Sequence, residues 1–438
     1  MVYSKEQRLW RYRIFAVTWV AYAGFYFCRK NFSVAMPLLD THLGYSNKAL
    51  ADVIFLYSLF YALGQFYNGV LSDRFGARLV VGVGLLVSVF SNVAMGFGIS
   101  LAMLGILACL NGTGQSTGWS GLVKNMTPWF RSRERGIVMA WWGTNYVLGG
   151  LIATVFATFA ATNETIWQGL GWRRVFWAPS VILLACSIIF ILIARNKPSD
   201  VGIPPIQEDD NEGGRDDSWS AAGTMHPPEG SKAIFLDVIS NPSVWLTAVF
   251  YFFLKMTRYS FIFWLPKYMT DRLGYGLEEA GYTSALYEFV GFSGALVAGY
   301  VSDRLMQSRR FPVGAMMMWG LAVVCLFHPM LAAWGRLGNA IGIALIGFMT
   351  FGPDTLMTGA AAQDMGGRHG AATAAGFING VGSIGQMCSP LLVAYVADAY
   401  GWDYLFYLFV IFSLVGGSLL ATKWNYVPRL ASAEEGRG

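Results

Sequence analysis

Twelve long apolar stretches, each interrupted by only a few polar residues, take up most of the chain. They are centred on Phe25, Tyr61, Val89, Leu110, Leu148, Leu183, Phe253, Val290, Val323, Leu345, Gly385 and Phe412. Each is long enough for the helix of ~20 residues that crosses a bilayer. A transmembrane barrel would show short segments of strict apolar and polar alternation, and these runs are continuous. The expected fold is an all-α membrane protein with twelve transmembrane helices.

The polar residues between the runs sort the loops by side. Lys5, Arg8, Arg11 and Arg13 precede the first run, and Arg74 with Arg78, then Arg131, Arg133 and Arg135, then Arg304, Arg309 and Arg310 fill alternate loops. The opposite loops carry balanced charges: Asp40 with Lys48, Lys267 with Asp271 and Arg272, and Asp398 with Asp403. Basic residues stay on the cytoplasmic side, so both termini are expected there. The start is basic and the apolar run after it is too long for a signal core, so no cleavable signal is expected. The interval 195–242 is rich in Pro, Gly, Asp and Glu and reads as a flexible linker. The expected organisation is a cytoplasmic N-terminus (1–13), a six-helix half (14–194), a cytoplasmic linker (195–242), a second six-helix half (243–422) and a cytoplasmic tail (423–438).

Composition agrees and removes other classes. With 438 residues, 55% hydrophobic and 13% charged, the chain is too apolar and too long for one soluble core. The net charge of +5 is accounted for by the basic loops, so no nucleic-acid partner is expected. Cys28, Cys109, Cys186, Cys325 and Cys388 lack metal or redox spacing, and His42, His226, His328 and His369 form no motif. The triplet Asn163-Glu164-Thr165 matches a glycosylation sequon on the outer side, a pattern that arises often by chance. No nucleotide-binding loop or catalytic constellation is present, so neither an enzyme nor a cofactor or metal is expected.

The exceptions to the apolar pattern carry the chemistry. Arg29 lies within AVTWVAYAGFYFCRKNFSVAMP and Arg258 within VWLTAVFYFFLKMTRYSFIFWLP; Pro37 and Pro266 each follow eight residues later, and the arginines are 229 positions apart. A charge near the bilayer centre costs at least ~2.5 kcal/mol, so two at matching places imply a shared polar task, most simply holding an anion. The Ser-Asp-Arg loops containing Asp73 and Asp303 repeat at an offset of 230. Two landmarks with nearly one offset indicate a parallel repeat, which puts a substrate site at the midplane between the halves. The competing reading makes each arginine half of a structural ion pair, with Glu288, Asp354 or Asp364 as partner, the last two near helix ends.

Helical spacing extends each site. Tyr26, Tyr22 and Thr18 share the face of Arg29, and Lys255 lies one turn before Arg258. Lys30 points about 100° away from Arg29. Gln115 and Trp119 can present an amide and a ring, Asn379 and Ser383 can bind hydroxyls, and Gly112, Gly114, Gly118 and Gly121 read as close helix packing.

On these residues the chain resembles the major facilitator superfamily, whose signature loop matches Gly69, Asp73, Arg74, Gly76 and Arg78, with Asp303 and Arg304 as the echo. More narrowly, YFCRKNFSVAMP, NGTGQSTGWSGLVKNMTPWF and LKMTRYSFIFWLPKYM resemble the organophosphate:phosphate antiporter family. The resemblance implies that Arg29 and Arg258 clamp a phosphoryl group while Tyr22, Tyr26 and Tyr61 line the cavity. It implies a monomeric secondary transporter, in the lipid bilayer of a bacterial inner membrane, exchanging an organic phosphate for inorganic phosphate by alternating access. Three positions depart from the glycerol phosphate members: Gln65 replaces a lysine, Asn145 a histidine and Lys255 a tyrosine. A sugar phosphate or a phosphorylated acid therefore fits as well as a three-carbon phosphate. Other expectations are a sensor of hexose phosphate, as in some relatives, and a proton-coupled organic anion carrier with Glu288 as the titrating group.

Overall fold

The computed structural model describes residues 3–206 and 236–426, except 99, 132, 133, 135–137, 140, 164, 166, 167, 237 and 308, and except the side chains of 66, 70, 73, 359, 360, 363, 364 and 366–372. Arg133, Arg135, most of the expected linker (207–235), the tail from 427 and the side chains of Asp73 and Asp364 therefore lie outside the described residues.

Twelve long α-helices are formed among the described residues. They are α1 (Lys5–Leu43), α2 (Asn47–Phe75), α3 (Ala77–Met95), α4 (Leu101–Met126), α5 (Thr144–Thr162) and α6 (Arg174–Ile193), then α7 (Pro242–Leu273), α8 (Leu277–Tyr300), α9 (Arg310–Ala333), α10 (Arg336–Thr355), α11 (Ala361–Ala399) and α12 (Trp402–Ala421). No strand occurs among the described residues. Eight of the helices are long and apolar enough to cross a membrane on those grounds alone. Arg29, Gln65, Gln115, Lys255 and Arg258 lie on α1, α2, α4 and α7.

Local chemistry sets the helix ends. Ser4 caps α1 and forms a capping box with Gln7, Ser46 caps α2, Ser100 caps α4 and Asn241 caps α7. Gly44 and Gly274 end α1 and α7 with the same left-handed backbone, φ 67° and ψ 26°. That conformation favours glycine, and the two residues are 230 positions apart.

The chain divides into two compact units, Met1–His226 and Pro227–Gly438. In the first unit α1 packs against α5 and α6, α4 against α2 and α3, and α3 against α6. The second unit repeats that scheme: α7 packs against α11 and α12, α10 against α8 and α9, and α9 against α12. The repetition reaches single residues. A Cβ on Gly112 would collide with the Tyr57 carbonyl, and one on Gly347 with the Tyr287 carbonyl. Small residues at these crossings let backbones approach where no hydrophobic drive separates helix from lipid. Gly114, Gly118 and Gly121 similarly face Gly84, Phe25 and Val81.

The two Ser-Asp-Arg turns differ in their contacts. At the α2–α3 turn Gly76 has φ +84°, and a side chain there would meet Asn196 at 2.7 Å. The Arg78 backbone N–H donates to Asn196 Oδ1 at 2.9 Å, and its guanidinium donates to the Ile191 carbonyl at 3.0 and 2.5 Å. Arg78 thus satisfies an orphan carbonyl of the last turn of α6. Arg74 is exposed and lies over the Phe75 ring, 5.3 Å away. At the α8–α9 turn Arg310 donates to Ser302 Oγ at 3.0 Å and pairs with Asp303, while Arg304 is exposed.

The packing scheme predicts a contrast between glycines. Gly112→Ala forces α2 and α4 apart and is expected to cost about 1–3 kcal/mol, read as a lower unfolding midpoint in detergent. Gly299→Ala, at a helical position with nothing within 4 Å of an added Cβ, should leave that midpoint unchanged.

Candidate functional site

The first unit builds a polar group around the kink in α1. Cys28 leaves helical geometry at φ −97° and ψ 16°, and its carbonyl accepts from Asn111 at 2.9 Å, Gln115 at 2.9 Å and Asn92 at 3.3 Å. Side chains that enter the hydrogen-bond ladder are a recognised cause of such kinks. The kink falls immediately before Arg29.

These bonds fix the orientation of Gln115. Its amide nitrogen faces two acceptors, the Cys28 carbonyl and Asn111 Oδ1 (3.2 Å), so its oxygen must face donors. Two donors arrive: Arg29 Nε at 2.7 Å and the Tyr57 hydroxyl at 3.0 Å. The Arg29 guanidinium carbon lies 4.7 Å from the centre of the Tyr26 ring and 4.9 Å from that of Tyr61. Both distances suit cation–π attraction. Arg29 Nη2 is buried yet bonds none of the described residues, and no described carboxylate forms an ion pair with Arg29. A guanidinium held by one edge thus keeps a donor for an anion.

The remaining first-unit candidates lie around this group. Tyr22 meets the rings of Tyr26 (5.9 Å), Trp119 (5.6 Å) and Trp142 (5.5 Å), so it supports Tyr26 from behind. Gln65 is half-buried one turn beyond Tyr61. Asn145 is fully buried on α5, and neither of its polar atoms is bonded to a described residue. Lys30 is buried too.

In the second unit, Tyr251, Lys255 and Arg258 line one face of α7. Arg258 Nη1 pairs with Asp354 Oδ2 at 2.8 Å, and the Tyr251 hydroxyl donates to Asp354 Oδ1 at 2.8 Å. The guanidinium also lies 4.5 Å from the Phe351 ring centre. Lys255 Nζ donates to Asn379 Oδ1 at 2.7 Å and to Ser383 Oγ at 3.2 Å. The structure thus brings Asn379 and Ser383 to the ammonium of Lys255.

Of the two readings the sequence left open, Arg258 has its ion pair and Arg29 has none with a described residue. Asp354 lies in the last turn of α10, yet it is buried, because a π-helical turn, Leu356–Ala360, carries the helix on into α11. Glu288 is buried on α8. Sequence reasoning missed Tyr57, Asn111 and Tyr251. Tyr57 stands one turn before Tyr61 and Tyr251 one turn before Lys255, so helical spacing held that information; the bond of Asn111 to a kinked carbonyl left no such trace. Among the described residues no group of His, Cys, Asp and Glu is placed to hold a metal.

A sequence profile described as Major Facilitator Superfamily matches residues 18–385. The chain belongs to the Major Facilitator Superfamily. Relatives of this superfamily member include the glycerol-3-phosphate transporter of Bacillus subtilis, 29% identical over 95% of this chain and 92% of the relative. The membrane sensor protein UhpC of Salmonella typhimurium is 30% identical over 95% of this chain and 92% of its own. Sugar phosphate exchanger 3 of Bos taurus is 30% identical over 83% of this chain and 76% of its own. Within the superfamily the chain falls in the organophosphate:phosphate antiporter family. Among solved structures, a bacterial homolog to the human lysosomal transporter Spinster aligns with a TM-score of 0.77 at 15% identity, covering 95% of this chain and 97% of that one. The D-xylose-proton symporter aligns at 0.70 with 12% identity, covering 95% and 98%. These two likenesses establish the fold: this is a multi-pass membrane protein of major facilitator architecture.

Gln115 is the joint of the first-unit group. In this major facilitator chain Gln115→Leu strands the Arg29 Nε and Tyr57 donors and removes one donor from the Cys28 carbonyl. Each buried group left unsatisfied costs about 1–3 kcal/mol. The expected result is a lower unfolding midpoint in detergent, which Asn111→Leu should reproduce in part because it strips the same carbonyl.

Proposed function

We propose that the chain exchanges an organic phosphate ester for inorganic phosphate by alternating access, with Arg29 as the anchor of the phosphoryl group. The observation that carries this reading is the Arg29 guanidinium. Nε is fixed by Gln115, two tyrosine rings flank the cation, and buried Nη2 bonds none of the described residues. A guanidinium stays charged, and its planar fork matches phosphate oxygens through charge-assisted hydrogen bonds. The relatives supply the substrate class: they are named for transport of glycerol 3-phosphate and hexose phosphate and for sugar phosphate exchange.

In this reading Arg258 and Lys255 are the phosphate-binding residues of the second half, and Tyr22, Tyr26, Tyr61, Gln65, Gln115, Trp119, Asn145, Asn379 and Ser383 are the substrate-cavity residues. Occluding an uncompensated arginine in low dielectric is costly, and a bound phosphate removes that cost. Closure therefore favours the loaded carrier, which makes exchange faster than one-way flux. The turns holding Gly69, Asp73, Arg74, Gly76, Arg78, Asp303 and Arg304 are the proposed hinging ends of the halves, 14–194 and 243–422. The reading includes a monomer in a bacterial inner membrane with both termini cytoplasmic. A phosphate ester larger than glycerol 3-phosphate is favoured by Gln65, Asn145 and Lys255.

A sensor is the second reading, favoured by the similarity to UhpC, which extends over 95% of the chain. One experiment separates the two. Purified protein in liposomes loaded with phosphate should take up radiolabelled phosphate, with uptake stimulated by internal phosphate or by one member of a panel of sugar and three-carbon phosphates. Arg29→Lys keeps the charge but loses the fork, and uptake should fall at least about tenfold. Unimpaired exchange by the variant overturns the anchor role, binding without flux supports the sensor, and flux driven by a pH gradient and indifferent to internal phosphate supports a proton-coupled carrier.

A further inference from the structure

The second basic centre already holds an anion of its own. Asp354 is buried on α10, and its two oxygens are divided between two donors, Oδ2 on Arg258 Nη1 and Oδ1 on the Tyr251 hydroxyl, each at 2.8 Å. The carboxylate is thus shared between the Arg258 guanidinium and the Tyr251 hydroxyl. Lys255, one turn away on the same face, is bonded to Asn379 and Ser383, both neutral groups.

Resting on the exchange reading, we propose that Asp354 is a resident competitor for Arg258: an incoming phosphoryl group displaces its carboxylate from Nη1, the carboxylate stays on the Tyr251 hydroxyl, and its return promotes release. A carrier must let its substrate go as readily as it takes it up. A site made only of guanidinium and ammonium groups, shielded from water, would hold phosphate too long for rapid exchange. The tethered carboxylate weakens the bound state by offering Arg258 a second partner at every release. Arg258 is then a contact that alternates between two anions, whereas Arg29 has no carboxylate partner among the described residues. Substrate preference follows from the same charge: an ester with a second acidic group near α10 meets a carboxylate there, so neutral sugar or polyol phosphates are favoured over phosphorylated acids.

The test measures the affinity for radiolabelled inorganic phosphate of the purified full chain, and the exchange rate at saturating phosphate in liposomes, for wild type, Asp354→Asn, Asp354→Glu and Tyr251→Phe. Asp354→Asn is expected to bind phosphate about tenfold more tightly and to exchange it correspondingly more slowly. Asp354→Glu should stay within about threefold of wild type, and Tyr251→Phe, which removes the group that holds the displaced carboxylate, should bind phosphate more weakly than wild type. Unchanged or weaker phosphate affinity in folded Asp354→Asn overturns the proposal, because the residue would then only prop Arg258 in place. If that variant does not fold, Tyr251→Phe decides: a phosphate affinity that does not fall overturns the proposal. Wild-type protein that binds no phosphate overturns the exchange reading itself, and this inference with it.

Discussion

A cation inside a membrane-spanning bundle has to be given a partner, and much of the polar structure of this chain follows from that requirement. Arg29 and Arg258 stand in helices that otherwise meet lipid and apolar side chains, and each is surrounded by groups with little other purpose there. Around Arg29 the provision is indirect. Gln115 accepts from the guanidinium, and it can do so only because the Cys28 carbonyl and Asn111 occupy its amide nitrogen. The kink of α1 is therefore part of the site, since it presents the carbonyl that orients the glutamine that steadies the arginine. Around Arg258 the provision is direct, a carboxylate from α10.

The requirement also bears on which helices are polar. α1, α2, α4 and α7 supply Arg29, Tyr57, Gln115 and Arg258. Close backbone packing accompanies these polar groups. Gly112 on the Tyr57 carbonyl and Gly347 on the Tyr287 carbonyl are the same crossing made once in each unit. A repeat preserved at the level of one glycine and one carbonyl shows that helix approach is the shared variable of the two units. The polar contents differ freely: the turn with Arg78 caps α6, whereas the turn with Arg310 closes on its own Asp303.

Much of this is legible in the sequence. The apolar runs are long and uninterrupted, so they place the helices of an α-helical membrane protein from Phe25 to Phe412, and the near-common offset of Arg29 with Arg258 and of Asp73 with Asp303 exposes the repeat. The two arginines are visible because charge inside an apolar run is conspicuous. Their partners are less so. Tyr57 and Tyr251 are aromatic residues among many, and only a spacing of one turn from Tyr61 and Lys255 sets them apart. Asp354 looks like a helix-end residue because Gly352 and Pro353 precede it, and a π-helical turn that continues the helix past such a pair leaves no clear mark in sequence. The role of the Cys28 carbonyl is not legible at all, since a backbone acceptor has the same chemistry at every position and only the kink reveals it.

The two basic centres also answer the charge question differently. A guanidinium paired with a carboxylate contributes almost no net charge at a distance, whereas one resting on an amide and two aromatic rings contributes all of it. On the proposed exchange reading, Arg258 offers its charge to a phosphate only once its ion pair with Asp354 has been loosened. A guanidinium without such a partner would gain affinity and lose ease of release; a resident carboxylate is what would allow affinity to be surrendered for turnover.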